Sequence, residues 1–148
     1  MTILETLKTD MATSMKAGTA ARTGVIRLLR SSMQNEVIKL GHELCDDEAM
    51  KVLQREAKQR RDSITQYGAA GRQDLIDIEA AELEVIKGYL PEALSVAELE
   101  ITIDGVIAQL GATDMKQMGA VIGAAMKEVG ARAEGGAVSA IVKSKLSN

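Results

Sequence analysis

The sequence predicts an all-α protein. Apolar residues recur every three or four positions along almost all of the 148 residues, which is the period of an amphipathic helix. Aromatic residues make up only 1% of the chain, with two Tyr and no Phe or Trp. This composition argues against aromatic-rich β folds and against modules that stack nucleobases on aromatic side chains. The core is therefore expected to consist of Leu, Ile, Val, Ala and Met.

The N-terminal part of the chain, residues 1–90, is expected to form a domain of about four helices. The predicted helices end at or near glycines, which leave a helix at little steric cost. Asp46 and Asp47 are placed to cap the third helix through their carboxylates. The four helices are expected to cover about residues 2–16, 20–40, 46–67 and 72–89.

The single proline, Pro91, separates two helical patterns and marks a domain boundary at about residues 90–95. Proline lacks an amide hydrogen and restricts the residue before it, so the preceding helix must end there. Ser95 and Glu98 then form the capping-box pattern of a new helix. The C-terminal part, residues 95–148, is expected to be a three-helix bundle with short links.

Charge is distributed unevenly along the chain. Residues 72–111 carry two basic and nine acidic side chains, a net charge of −7, whereas the segments on either side are each +2. The acidic segment is interpreted as either a solvated helix face or a guide for a basic partner.

The expected location is the cytoplasm, with no membrane association. The N-terminus lacks the charged lead and the continuous apolar segment of a secretory signal. The longest unbroken apolar stretch, residues 119–126, is too short to cross a bilayer. The lone Cys45 excludes an internal disulfide bond. The sequence does not indicate an oligomeric state.

No independent active site is visible in the sequence. His42 and Cys45 lie three positions apart, but nucleophilic catalysis needs a thiolate, a positioned base and usually an orienting group. One His and one Cys cannot complete a zinc site. We interpret both as exposed residues of a turn between helices, and we expect no catalytic residue, metal or cofactor.

Two features suggest contact with a polyanion. Arg55, Lys58 and Arg61 fall within two turns of the third helix and could face phosphates, although nearby acids favour a solvated face with internal ion pairs. Gly119 and Gly123 lie one turn apart inside the sixth helix, where each costs about 1 kcal/mol relative to Ala. Such glycines indicate the close approach of another backbone, either a helix of the same bundle or an external partner such as RNA.

Three segments, in order along the chain, resemble the YqeY-like family. The first is the motif of its third helix, the second is its interdomain signature, and the third is its C-terminal core. In this sequence they read Lys-Gln-Arg-Arg-Asp-Ser-Ile-Thr-Gln-Tyr from position 58, Glu-Leu-Glu-Val-Ile-Lys-Gly-Tyr-Leu-Pro-Glu-Ala-Leu-Ser from position 82, and Gly-Ala-Thr-Asp-Met-Lys-Gln-Met-Gly from position 111.

The resemblance implies an all-α protein similar to the GatB tail domain of the tRNA-dependent amidotransferases. In those enzymes the tail is thought to help hold tRNA while other domains carry the chemistry. A family description as a carbon–nitrogen ligase with glutamine as amido donor can therefore apply to a protein that has no active site. Whether this protein is itself an enzyme stays open. The implied function is a non-catalytic accessory module that associates with tRNA or other structured RNA.

The residues expected to contact RNA lie mainly in the C-terminal domain. The family commonly has a more basic run before the last helix, of which Lys127 and Arg132 remain here, so phosphate attraction should be weaker. The expected set is Lys116, Gly119, Gly123, Lys127 and Arg132, with Arg55, Lys58 and Arg61 as secondary members.

Two alternatives stay open. The first is a protein–protein adaptor without a nucleic-acid role, which would use a Met-rich surface (Met115, Met118 and Met126) or the acidic fourth helix. The second is participation in amidotransfer as a component of a ligase.

Overall fold

The computed structural model describes residues 1–147 and confirms the all-α class. Within these residues it contains seven α-helices and two single-turn 3₁₀ helices, and no strand. The chain divides after Leu90 into two compact units. We call residues 1–90 the N-terminal unit and the part that begins at Pro91 the C-terminal unit. No helix of the described part is long and apolar enough to cross a membrane.

The N-terminal unit packs four helices around one apolar core. The longest helix, α3, packs most extensively against α4, and α1 packs mainly against α2. The four helices are α1 (Ile3–Ala17), α2 (Ala20–Leu40), α3 (Asp46–Ala69) and α4 (Gln73–Lys87). The largest fully buried side chains of their core are Leu7, Ile26, Leu29, Met33, Val52, Leu53 and Ile86.

The start of α3 differs from the prediction. Cys45, in extended conformation, is the N-cap residue, and its backbone N–H donates to Glu48 Oε2 at 3.0 Å. Asp46 instead accepts a hydrogen bond from the backbone N–H of Ile3 at 2.9 Å. It thereby provides a partner for one of the N–H groups at the start of α1 that have none within the helix. The prediction that Asp46 and Asp47 cap α3 was therefore wrong, because the cap lies one residue earlier.

Tyr89 ties the end of α4 to the first two helices. Its hydroxyl donates to Asp10 Oδ2 at 2.6 Å and accepts from Arg22 Nη2 at 3.3 Å. Partial burial, followed by the bond to Asp10, raises the pKa of Tyr89 to about 12. The neutral phenol is therefore the form that the folded N-terminal unit favours.

The C-terminal unit contains three α-helices, each of which packs against the other two. A 3₁₀ turn (Met115–Gln117) leads into the middle helix, and a second one (Gly130–Arg132) follows it. The helices are α5 (Val96–Leu110), α6 (Met118–Val129) and α7 (Gly135–Leu146). The buried residues of the core of this unit are Leu99, Ile103, Val106, Ala112, Val121, Ala125, Val129, Val138, Val142 and Leu146.

Local signals define α5 at both ends. The predicted capping box is confirmed, since the backbone N–H of Ser95 donates to Glu98 Oε2 at 3.0 Å and the N–H of Glu98 donates to Ser95 Oγ at 3.1 Å. Gly111 ends the helix in the left-handed region, with φ of 63°. The segment before α6 begins as a 3₁₀ turn because Asp114 accepts from the N–H of Lys116 at 2.8 Å.

Candidate nucleic-acid interface

Four of the expected RNA-contacting residues lie along one exposed side of α6, the middle helix of the C-terminal unit, and of the 3₁₀ turn that leads into it. Lys116, Gly119, Gly123 and Lys127 recur every three or four positions, and all four are exposed. The opposite side of α6 carries the buried residues, Val121 among them. We call these four residues the α6 outer face.

The two glycines of the α6 outer face have no neighbour in the fold. A Cβ atom added at Gly119 or at Gly123 would meet nothing within 4 Å. The interpretation that another helix of the bundle packs against these glycines is therefore wrong. Gly123 lies inside α6, where glycine costs about 1 kcal/mol relative to alanine, and no packing contact in the fold compensates this cost. Gly119 lies in the first turn of the helix.

The two lysines of the α6 outer face carry charges that the fold leaves uncompensated. Within residues 1–147, the side chains of Lys116 and Lys127 form no ion pair and no hydrogen bond. Lys116 lies in the 3₁₀ turn just before α6, and Lys127 lies near the end of α6, so the two cations stand at opposite ends of this helix. The open glycines lie between them, so a backbone that approaches the glycines meets a cation at each end.

Arg132 lies in a different setting from these lysines. Its Nε donates to the backbone carbonyl of Glu92 at 3.1 Å, and its own carbonyl accepts from the N–H of Leu94 at 2.8 Å. Its side chain lines a groove together with Glu128 and residues of α5. No contact in the described part of the chain joins Arg132 to Lys116 or Lys127.

The basic residues of α3 are engaged with neighbouring groups. Arg55 pairs with Glu36 of α2 at 3.1 Å, and Lys58 pairs with Asp62 at 2.9 Å. Arg61 is half-buried and is also engaged. The structure therefore favours the interpretation of this cluster as a face with internal ion pairs.

Sequence reasoning missed the structural role of Arg60. Its side chain is only 8% exposed, and its Nε donates to Glu82 Oε2 at 3.3 Å while its Nη1 bonds to the carboxylate of Glu56. Glu56 also accepts from Ser32 Oγ at 2.9 Å. One feature of the sequence could have indicated this role: Arg60 follows the buried Ala57 by about one helical turn. Arg61 does so too, so this spacing does not distinguish the two arginines.

His42 and Cys45 support the start of α3. His42 Nδ1 lies 2.8 Å from the carbonyl oxygen of Glu43, and His42 Nε2 lies 3.5 Å from Glu48 Oε1. The backbone N–H of Cys45 is the main cause that lowers the pKa of Glu48. Among the described residues, no three His, Cys, Asp or Glu side chains are grouped to hold a metal ion.

The Met-rich surface of the adaptor hypothesis is largely internal. Met118 and Met126 are half-buried and pack against the core of the C-terminal unit, whereas Met115 is exposed. A partner protein would therefore meet one exposed methionine, Met115, and only part of the surface of Met118 and Met126, which pack in the fold.

Fold and surface thus define an all-α protein of two helical units with an exposed cationic side on its sixth helix. The chain belongs to the family described as YqeY-like protein, whose model matches residues 4–146. The resemblance seen in the sequence is thereby confirmed.

Curated relatives from fungi are similar to this chain. A protein of Clavispora lusitaniae is 37% identical over 98 residues, which are 66% of this chain and 56% of that protein. A protein of Lachancea thermotolerans is 34% identical over 112 residues, which are 75% of this chain and 58% of that protein. Both are named Altered inheritance of mitochondria protein 41, mitochondrial. The chain thus spans little more than half the length of these relatives.

The names of these relatives contradict the expected cytoplasmic location. Each is called a mitochondrial protein. The expectation was wrong because it rested on the lack of a secretory signal and of a membrane span, and neither feature distinguishes one aqueous compartment from another.

Proposed function

We propose that the protein is an accessory module without an active site of its own, and that it binds the backbone of tRNA or another structured RNA through the α6 outer face. The observation that carries this proposal is the pairing of two uncompensated lysines, Lys116 and Lys127, with two open helical glycines between them. Cations supply the attraction to phosphate, and the missing side chains of Gly119 and Gly123 allow a sugar–phosphate backbone to come close.

The contact is expected to read shape and charge rather than base identity. The two tyrosines, Tyr67 and Tyr89, are half-buried in the N-terminal unit and so offer little surface for stacking on a base. A face with two lysines releases few counterions, so we expect a dissociation constant on the order of 10⁻⁵ M at physiological salt. Arg132 should contribute less than either lysine, because its Nε is already bonded and Glu128 lines the same groove.

The proposed kinship with the amidotransferase tail rests on sequence resemblance. It includes the interpretation of the chain as a four-helix domain followed by a three-helix bundle of the tail type. The description as a ligase would then reflect a common evolutionary origin with the amidotransferase tail. The chain would assist a reaction that other domains catalyse. A participant in amidotransfer would instead stimulate glutamine-dependent amidation when mixed with the other components of the enzyme.

The test is a titration of total tRNA against the full chain at several salt concentrations. The variant Lys116→Glu/Lys127→Glu should bind at least tenfold more weakly than the parent, and the dependence of its affinity on salt should be shallower. The matched control is Lys8→Glu/Lys16→Glu, which reverses two exposed lysines of α1 and changes the net charge equally.

Three outcomes separate the explanations. A loss of tRNA affinity that is seen only in Lys116→Glu/Lys127→Glu supports the proposal. Equal losses in both double variants mean that net charge alone governs binding, and they contradict it. Absence of binding by the parent protein near physiological salt rejects an RNA role and leaves the adaptor hypothesis.

A further inference from the structure

A groove in the C-terminal unit lies outside the α6 outer face. It has a volume of about 460 Å³ and runs between α5 and the end of α6. Leu94 and Val129 contribute apolar surface to it, and Ile101 stands in it with 72% of its surface exposed. Single exposed apolar residues are common, but an exposed isoleucine beside further apolar side chains in a concave surface is typical of a binding site.

The backbone of α5 can be approached closely within this groove. Gly105 follows Ile101 by one helical turn, and a Cβ atom added at Gly105 would meet nothing within 4 Å. The packing of the unit therefore does not require glycine there, although glycine inside a helix is unfavourable. A partner backbone that lies across Gly105 would account for the missing side chain.

One end of the groove is held in a defined shape. The backbone N–H of Leu94 donates to the carbonyl of Arg132 at 2.8 Å, and Arg132 Nε donates to the carbonyl of Glu92 at 3.1 Å. These two bonds join the segment before α5 to the turn after α6. A groove that is formed before binding requires little ordering when a partner arrives.

The charge around the groove selects the kind of partner. The helix α5 carries Glu98, Glu100 and Asp104 and no Lys or Arg. Asp104 pairs with Lys145 of α7 at 2.8 Å, so the acidic side chains of the helix that form no ion pair with a described residue are Glu98 and Glu100. Glu128 lines the opposite wall, and within residues 1–147 it has no ion pair. The cation in the lining, Arg132, is already bonded to a carbonyl group. An RNA backbone would meet repulsion here, whereas Lys and Arg side chains would be attracted.

We propose that this groove binds a basic amphipathic helix of another protein. An apolar side chain of that helix packs on Ile101, its backbone crosses Gly105, and flanking Lys or Arg side chains approach Glu98 and Glu128. This mode of recognition places one apolar stripe in a groove and uses charge at the rim to set the orientation. It adds a protein-binding surface to the proposed RNA face and does not depend on that face.

The test uses a synthetic helical peptide of leucine and lysine, about four turns long, with a glutamate version of the same pattern as the charge control. Binding to the full chain is followed by fluorescence anisotropy, and the site is mapped by amide chemical shifts in NMR. We expect the lysine peptide to shift amides of α5 and the end of α6, and the glutamate peptide to bind at least tenfold more weakly.

Two pairs of variants give matched comparisons. Ile101→Ser should weaken binding of the lysine peptide about tenfold, whereas Ile38→Ser should not, although Ile38 is 71% exposed on α2. Gly105→Leu should abolish binding and leave the unit folded, because leucine favours a helix more than glycine does. Gly24→Leu makes the same change inside α2, where an added Cβ atom would also meet nothing within 4 Å, and should leave peptide binding unchanged.

Several results would overturn the proposal. Equal effects of Ile101→Ser and Ile38→Ser would show that the peptide binds without a defined site. A parent protein that dimerises in sedimentation experiments, and becomes monomeric in Ile101→Ser, would make a second copy of the chain the occupant. Competition between tRNA and the peptide for the same amide shifts would assign the groove to RNA. The first two results leave the proposed tRNA site at Lys116 and Lys127 untouched, whereas the third would move tRNA binding away from it. The charge-reversal variant of those two lysines tests that site separately.

Discussion

The basic cluster of α3 and the α6 outer face differ in what surrounds their cations. In α3, Arg55 lies beside Glu36 and Lys58 beside Asp62, so both of these cations have an acidic partner. On the α6 outer face, Lys116 and Lys127 lie beside open glycines. Attraction of a polyanion depends on uncompensated charge, so the cluster with more basic residues is expected to be the weaker site.

Arginine side chains can hold a fold together or can remain available to a ligand. Arg60 is buried between Glu56 and Glu82, and it holds α3 against α4. A cation in that position serves the stability of the N-terminal unit and is not accessible to a ligand in solution. A count of basic residues along a helix therefore mixes structural cations with available ones.

The largest expected effect comes from removing the structural cation. Arg60→Met should lower the free energy of unfolding by about 3 kcal/mol, because it leaves the carboxylates of Glu56 and Glu82 without their partner. Urea unfolding followed by circular dichroism measures the change. Arg55→Met, at an exposed pair, should cost less than about 1 kcal/mol. Similar losses in both variants would remove the distinction between the two kinds of cation.

An intermediate effect is expected at the glycines of α6. Gly123→Ala should raise the free energy of unfolding by about 0.5–1 kcal/mol, because the site is open and alanine restricts the unfolded chain. The same change at Gly130, where φ is 55° and ψ is −126°, should destabilise the protein by about 1–3 kcal/mol. If Gly123→Ala is more stable yet binds tRNA more weakly, the loss reflects the contact and not the fold.

A smaller effect should follow when Arg55 of α3 loses its acidic partner. Glu36→Gln removes the carboxylate that pairs with Arg55 and leaves the side-chain volume nearly unchanged. We expect tRNA affinity at low salt to rise roughly two- to fivefold, the range that corresponds to a free energy of about 0.5–1 kcal/mol. An unchanged affinity would show that the position of α3, and not the carboxylate of Glu36, keeps RNA away.

The smallest effect concerns the hydrogen bonds of Tyr89 with Asp10 and Arg22, which weaken at high pH. The pKa of Tyr89 is raised to about 12. The raised pKa stabilises the folded unit fully below the ordinary value near 10, and this contribution is lost as the pH rises toward 12. Ultraviolet titration should show one phenol that ionises near pH 12 and is absent from Tyr89→Phe. Asp10→Asn should lower the pKa of Tyr89, because it removes the carboxylate that accepts the phenol's hydrogen bond.

Much of the fold followed from short-range patterns. The capping box of Ser95 and Glu98 and the left-handed Gly111 are set by residues a few positions apart, which explains why their prediction was confirmed. The cap of α3 was misplaced by one residue, since Cys45 is the N-cap, and Asp46 instead bonds to Ile3, which lies 43 positions earlier in the chain. A bond across that distance leaves no local pattern.

The sequence by itself determined the helical class, most helix ends, the family and the candidate cations. Helix period, capping and turns depend on neighbours within about one turn, and these can be read along the chain. Only the tertiary structure decided which cations are available and which glycines are open. Arg55 meets Glu36 over 19 positions and Arg60 meets Glu82 over 22, so their compensation arises when helices pack. The exposure of Gly119 and Gly123 has the same physical origin, because it depends on which side of α6 the other helices of its unit cover.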